Sequence, residues 1–543
     1  MSTVPRLLLD GTSLSLADLA AVARHPRAEV RLDEGARKRM RRSRDWVDAV
    51  QRDGAPVVYG INTGFGSLAS VPIDRQRLAD LQRNLIQSHS AGTGDPLPID
   101  VVRAAMLLRA NTLAGGFSGI RPRVVETLLA MLDAGVTPWI PAQGSLGASG
   151  DLAPLSHLAL VLSRAPEDDP ADPGGRAYRY DPDRDAWDLM DGRLAMEGAG
   201  IERVVLEAKE GLALNNGTQI STALLALVLY DAGRLVRQAD IAMAMSLEAM
   251  EGLRYPFLPE LHERRPHPGQ VATAENIRRL TEGSALLDRH LDRVQDAYSL
   301  RCHPQVMAGV RDMLGYLDGL IAIEMNATTD NPLIFPDNPV PLRALSGGNF
   351  HAQPVAFGAD FLAIVLCEVG NIAERRIFRL SDKRLNGGLP SFLISNPGLE
   401  SGLMIAQYTA AALVSENKAL AHPASIDSIP SCENQEDHVS MAPIAARKAR
   451  AILENVRKVV AIELFYAAQA LDLRLQTERQ RDSGVVPAAL FGRGTLAAYD
   501  AVREVVAFLD RDRPLYPDIE RLVERLAGDG LLEPVETAVG PLA

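Results

Sequence analysis

The chain has 543 residues, a formal charge of −12, and 47% apolar but only 5% aromatic residues. Nucleic-acid binding wants a basic face to neutralise phosphates, so the acidic balance excludes that class of partner and serves solubility instead. The length allows a large core and about three or four average domains, and the wealth of Ala and Leu with few aromatics favours helices over β-sandwiches.

The three cysteines, Cys302, Cys367 and Cys432, form no CxxC pair, as expected of a reducing compartment. The first residues, Met1-Ser2-Thr3-Val4-Pro5-Arg6, have no charged region followed by a long apolar one, so no signal peptide is expected. No long uninterrupted apolar run marks a membrane span. The expected location is the cytoplasm, with no membrane or nucleic-acid partner.

In chain order, residues 1 to about 55 read as short helices around polar turns, with a cap at Asp10-Gly11-Thr12-Ser13. Val57 to Gly66 then holds Gly60, Gly64 and Gly66, which makes a loop rather than a helix interior. It lacks the Gly-Lys-Ser/Thr ending of a phosphate loop and the spacing of a dinucleotide fingerprint. Either it is a surface turn, or it delivers Tyr59 to a site and can open. Residues 75 to 135 are predicted helical, broken at Ser88-His89-Ser90-Ala91-Gly92, where His89 alone reads as a structural residue. Arg164 to Arg193 carries four prolines, a Gly-Gly pair and many aspartates, which predicts an exposed loop or hairpin.

Beyond it the pattern is long-helical. Thr218 to Met250, Phe357 to Leu380, Leu403 to Leu420 and Pro443 to Leu473 are nearly continuous apolar faces, as in helices buried on several sides. The prediction is an all-α fold: an N-terminal domain over 1–215, a central long-helix bundle over 216–480 and a C-terminal helical segment over 481–543. Any sheet should be minor.

Four polar stretches carry candidate chemistry. Gly144 to His157 centres on Ala148-Ser149-Gly150; Gly147 and Gly150 allow compressed backbone that other residues resist. A tight bend there brings the Gly150 amide nitrogen onto the Ala148 carbonyl carbon. Ring closure, loss of water and loss of the Ser149 hydroxyl would leave an electrophilic methylidene, a function otherwise recruited with a cofactor. A helix cap by Ser149 or Asp151 is the plainer reading of the tripeptide alone. Asn215-Asn216-Gly217 precedes a long helix, where Asn is also a cap. Gln295 to Gln305 places Tyr298 and Arg301 three apart, on one helical face, and the arginine fork matches a carboxylate in two hydrogen bonds. Asn434 to Met441 gathers Glu436, Asp437 and His438 without the spacing of a metal site, so no metal is expected.

The stretch from Gly144 to His157 resembles, nearly residue for residue, the signature of the aromatic amino acid ammonia-lyases and aminomutases, and is most similar to its histidine-specific members. The resemblance runs from about Asp10 to the C-terminal helices. It implies the fumarase/aspartase-like architecture, a homotetramer with active sites built from three subunits, and a 4-methylideneimidazole-5-one ring (MIO) formed autocatalytically from Ala148, Ser149 and Gly150 in the N-terminal domain.

Further roles follow from the resemblance. Tyr59 is the first candidate for general base and Tyr298 the second, or the proton donor to the leaving amine. Arg301 would hold the substrate carboxylate, with Gln295 and Asn216 orienting the substrate. Phe350 would pack on the ring. His89, with Ser88, would sort substrates, and Met404 and Glu436 match the histidine pattern. A carboxylate at Glu436 can hold an imidazole N–H, while a phenyl ring offers it nothing. A free tyrosine has a pKa of about 10, so the base requires either a lowered value or alkaline conditions. Asn215 and His303 depart from the histidine pattern, which has Leu and Gln there, and both could line or support the pocket. Cys432-Glu433 also departs from the usual small residues. The expected reaction is L-histidine to trans-urocanate and ammonia. The alternatives are a tyrosine or phenylalanine ammonia-lyase, a tyrosine aminomutase, and, from another class, an inactive helical scaffold.

Overall fold

The computed structural model describes residues 4–51, 57–167, 169–338 and 343–543. Met1 to Thr3, read above for a leader, and Asp168 of the acidic stretch lie outside the described residues. Helices dominate. Those used below are α1 (Leu152–Leu162), α2 (Gln219–Ala249), α3 (His303–Met325), α4 (Gln353–Ser381), α5 (Met404–Leu420) and α6 (Ala442–Arg481). Among the described residues the strands are short and form only small sheets of two or three. The fold is therefore all-α in character, as the Ala- and Leu-rich composition predicts.

The chain divides into two compact units. The first comprises Met1–Tyr230, Asp318–Asp360 and Pro423–Arg447; the second comprises Asp231–Leu317, Phe361–His422 and Lys448–Ala543.

In the first unit, α1 begins directly after Asp151, and its Pro154 falls in the first turn, where a missing N–H costs nothing. Ser163 closes the helix by donating from its hydroxyl to the Ala159 carbonyl at 2.7 Å. The acidic stretch is a hairpin, β2 (Arg176–Asp181) with β3 (Ala186–Asp191), and β2 also pairs antiparallel with β1 (Val136–Pro138). The hairpin is fastened by the Tyr180 and Trp187 rings, 5.4 Å apart.

The helices α2 and α4 are long and apolar enough to cross a bilayer by length and composition, yet 78% and 61% of their most apolar windows are buried inside the protein. Such burial is what core helices show. In the second unit, α6 contributes an almost fully buried run from Val459 to Leu471.

Candidate active site

The loop before α1 is built by glycines that nothing else can replace. Gly150 has φ +72°, and a Cβ there would meet the Gly217 carbonyl oxygen at 2.2 Å. Gly147 has φ +68°, and its Cβ would meet the Ser440 hydroxyl at 2.3 Å. Both close approaches require the absent side chain as well as the left-handed backbone. Gly150 and Gly217 form a bridge, and the Asp151 amide donates to the Gly217 carbonyl at 2.7 Å. The Asp151 carboxylate accepts from the Ser221 amide at 2.8 Å and the Ser221 hydroxyl at 2.9 Å, in the first turn of α2. Burial raises the Asp151 pKa to about 6, against the pull of the Ser221 hydrogen bonds and the Arg109 charge.

Arg109 anchors the other side. It is fully buried and donates to the carbonyls of Ala213 and Asn216 at 2.7 and 2.8 Å, and to the Gln219 side chain. The far rim is closed by the Met441 amide, which donates to the Leu146 carbonyl at 2.9 Å, and by the Ser440 hydroxyl, which donates to the Gly147 carbonyl at 3.2 Å.

On this scaffold the functional groups converge on Ser149. Its hydroxyl donates to Glu436 Oε1 at 2.7 Å, and its carbonyl accepts from the Asn216 side-chain amide at 2.8 Å. The second Glu436 oxygen accepts from the Ser431 hydroxyl at 2.9 Å, which fixes the carboxylate. The Asn216 Oδ1 atom is buried without a hydrogen-bond partner.

Tyr59 lies on the glycine loop and is partly buried; its hydroxyl oxygen accepts from the Gly66 amide at 3.3 Å. Burial raises its pKa, the Gly66 hydrogen bond opposes this, and the Glu436 charge adds to it. Of the two conditions set out above for a tyrosine base, the lowered value is therefore absent here. His89 ends the helix Leu78–His89, with its Nδ1 3.0 Å from the Ser88 hydroxyl. Burial lowers its pKa, while the Glu436 charge acts in the opposite direction. Tyr59 and His89 thus both feel the Glu436 charge. Phe350 is half-buried in the turn before α4. The next residue, His351, stacks on His438 with centroids 5.7 Å apart, which brings that turn beside the Glu436 loop.

Gln295, Tyr298, Arg301 and Met404 belong to the second unit. Tyr298 and Arg301 share the short helix Tyr298–Arg301, with the guanidinium 4.6 Å from the ring centroid. Tyr298 is 71% exposed and Gln295 is exposed. Arg301 Nε donates to the Asp296 carbonyl at 3.0 Å. Met404 is the first residue of α5, and the two amides before that helix, Ser401 and Gly402, both donate to the Asp512 carboxylate at 2.8 Å.

The two departures from the histidine pattern are both buried. Asn215 donates to the Ser156 hydroxyl at 3.1 Å, and His303 lies between Asp240 and Arg376. Among the described residues no group of three or more His, Cys, Asp or Glu is placed to hold a metal. Sequence reasoning passed over Arg109, Ser431, Ser440 and Asp512. Arg109 alone carried a signal, as a charge inside the otherwise apolar run from Ala104 to Ala110.

Residues 14–504 match the family model described as aromatic amino acid lyase. The histidine ammonia-lyase of Gloeobacter violaceus is 50% identical over 538 residues, covering 99% of this chain and 98% of the relative. The crystal structure of histidine ammonia-lyase from Trypanosoma cruzi superposes with TM-score 0.86 at 39% identity, over 98% of this chain and 96% of that one. The tyrosine aminomutase of Streptomyces globisporus superposes with TM-score 0.89 at 37% identity, over 99% of this chain and all of that one.

Proposed function

The chain belongs to the aromatic amino acid lyase family, and from that premise we propose that it is a histidine ammonia-lyase, which converts L-histidine to trans-urocanate and ammonia. Relatives bearing that name match nearly the whole chain at about half identity. The observation that carries the substrate choice is the Glu436 carboxylate, held by Ser431 and aimed at the Ser149 hydroxyl. Loss of that hydroxyl leaves Oε1 without its donor. A half-buried carboxylate oxygen that has lost its partner favours a new donor, and an imidazole N–H supplies one where a phenyl ring does not.

The residues present suit the ring that this family uses. For the ring to form, the Gly150 nitrogen would attack the Ala148 carbonyl carbon, the Ala148 oxygen would leave as water with the amide hydrogens of Ser149 and Gly150, and the Ser149 hydroxyl would leave as a second water with the Ser149 α-hydrogen. The left-handed Gly147 and Gly150 let the backbone bend that tightly. Asn216 donates to the Ser149 carbonyl, the oxygen that the ring would retain, and polarises it. When formed, MIO supplies an electrophile for the substrate amine and turns it into a better leaving group.

The other roles belong to side chains. Tyr59 takes the β-proton, and because burial raises its pKa it does so best in alkaline solution. Tyr298 is the second candidate for that step, or returns a proton to the departing amine. Arg301 holds the carboxylate as a fork, and Gln295 orients it. Phe350 would pack on the MIO ring, and His89 and Met404 would contact the substrate's side chain.

The enzyme acts as a homotetramer. Tyr316 and Ile323 on α3, Phe361 and Ile364 on α4, and Ile405 and Tyr408 on α5 are all exposed, apolar side chains of the kind a subunit interface covers. We place it in the cytoplasm, which would keep its three free cysteines reduced.

The test is a substrate panel of L-histidine, L-tyrosine and L-phenylalanine, read as urocanate, coumarate and cinnamate. Urocanate as the fastest product is expected. Brisk coumarate without urocanate overturns the substrate, and a β-amino acid product moves the chain to the aminomutases, whose fold it also shares.

A further inference from the structure

We propose that His303 is a positioning residue that fixes the turn carrying Tyr298 and Arg301. The inference rests on the reading of Arg301 and Tyr298 as substrate-facing groups. The turn is only four residues long, Tyr298–Arg301, separated from α3 by Cys302 alone, and a single helical turn adds little order of its own. Its anchors lie beneath it, in a buried chain of polar groups within the second unit.

Arg376 is the hub. It is fully buried, and its Nη2 donates to Glu463 at 2.8 Å while Nε faces the other oxygen of the same carboxylate. Its Nη1 reaches two acceptors, the Ser299 carbonyl at 3.3 Å and His303 Nδ1 at 3.3 Å. A guanidinium only donates, so Nδ1 must present a lone pair. The ring hydrogen then sits on Nε2, which lies 2.9 Å from Asp240 Oδ1 and donates to it. The other Asp240 oxygen accepts from Asn276 at 2.9 Å and pairs with Arg311. The charges around the ring are Asp240, Glu463, Arg376 and Arg311, two of each sign, so the cluster balances when His303 is neutral. Burial and the Arg376 charge both disfavour the imidazolium, against the two carboxylates.

The consequence is specific. His303 serves as one donor and one acceptor at fixed positions, and Arg376 in turn holds the Ser299 carbonyl in the middle of the turn. Glutamine offers the same pair, an amide N–H for Asp240 and an amide oxygen for Arg376. Leucine fills similar space and offers neither.

Three variants test this: His303→Gln, His303→Leu and Arg376→Lys. Lysine keeps a charge for Glu463 but cannot also serve Ser299 and the ring. Hydrogen exchange of the amides from 297 to 302, read by mass spectrometry, is paired with steady-state kinetics. His303→Gln should match the parent in exchange and keep KM within about threefold. His303→Leu and Arg376→Lys should exchange about tenfold faster in that segment and raise KM about tenfold, more than they lower kcat. The proposal is overturned if His303→Leu leaves exchange and KM unchanged, if His303→Gln fails like His303→Leu, or if only kcat falls. If the parent turns over no amino acid of the panel, the functional reading fails while the exchange data still decide whether His303 holds the turn.

Discussion

Replacing Glu436 by glutamine keeps the shape of the side chain and removes its charge. The amide oxygen stays with the Ser431 hydroxyl, which donates to Glu436 at 2.9 Å. The –NH₂ group then occupies the place of Oε1, which accepts at 2.7 Å from Ser149, and it faces any incoming imidazole N–H as donor against donor. A hydrogen bond to a charged partner contributes about 1.5–3 kcal/mol, or roughly 10- to 150-fold in kcat/KM. The assay is initial-rate urocanate formation, with intact mass run alongside to confirm that the variant is processed like the parent. Arg184→Gln is the control: Arg184 pairs with Asp188 at 2.9 Å on the hairpin, with its side chain 62% exposed, and an exposed pair contributes little. Histidine turnover should fall at least tenfold in Glu436→Gln and stay unchanged in Arg184→Gln. Equal effects in the two variants, or an equal fall on histidine and on phenylalanine, refute the assignment of Glu436 to the substrate ring.

Three further outcomes are expected. The rate should climb toward alkaline pH as Tyr59, whose pKa is raised by burial, loses its proton, and Tyr59→Phe should lower kcat by about 10²–10⁴ and remove that limb; a parent profile unchanged in Tyr59→Phe would name another base. Asn216→Ala removes the donor on the Ser149 carbonyl and should lower kcat about 10²-fold or more with the fold kept by circular dichroism. Glu248 is buried against the Gly492 amide and the Thr495 hydroxyl, and burial raises its pKa to about 7. Between its unfolded value of about 4.5 and about 7 the folded chain holds a proton that the unfolded chain has lost, so stability falls as pH rises through that window, by about 3 kcal/mol in all. Glu248→Gln should flatten that part of the melting curve between pH 5 and 8; an unchanged slope would place the cost elsewhere.

Local features were legible in the sequence because their causes are local. Runs such as Leu224 to Leu229 announce a buried helix, and the aspartate- and proline-rich stretch announces a loop or hairpin, of which the structure has the hairpin. Gly147 and Gly150 signal tight backbone, though not the Gly217 and Ser440 atoms that fill the space of their missing side chains. Pairings across long separations left no trace. Glu436 and Ser149 are 287 residues apart, and nothing in either stretch names the other. Read by pattern, His303 could line or support the pocket, and the pattern did not name its partners: it lies fully buried, with Asp240 and Arg376 satisfying both of its nitrogens. Asp512 shows the same limit: an ordinary surface aspartate by its neighbours, it caps the two amides ahead of Met404.

The most direct measurement is the mass of the folded, purified chain and of its peptide spanning 144–157. If Ala148, Ser149 and Gly150 cyclise, the peptide is lighter than its sequence by two water molecules, and the Ser149→Ala chain lacks both the near-ultraviolet band of the ring and the activity. An active enzyme whose 144–157 peptide keeps its full mass would contradict the ring, and with it the chemistry assigned to this site.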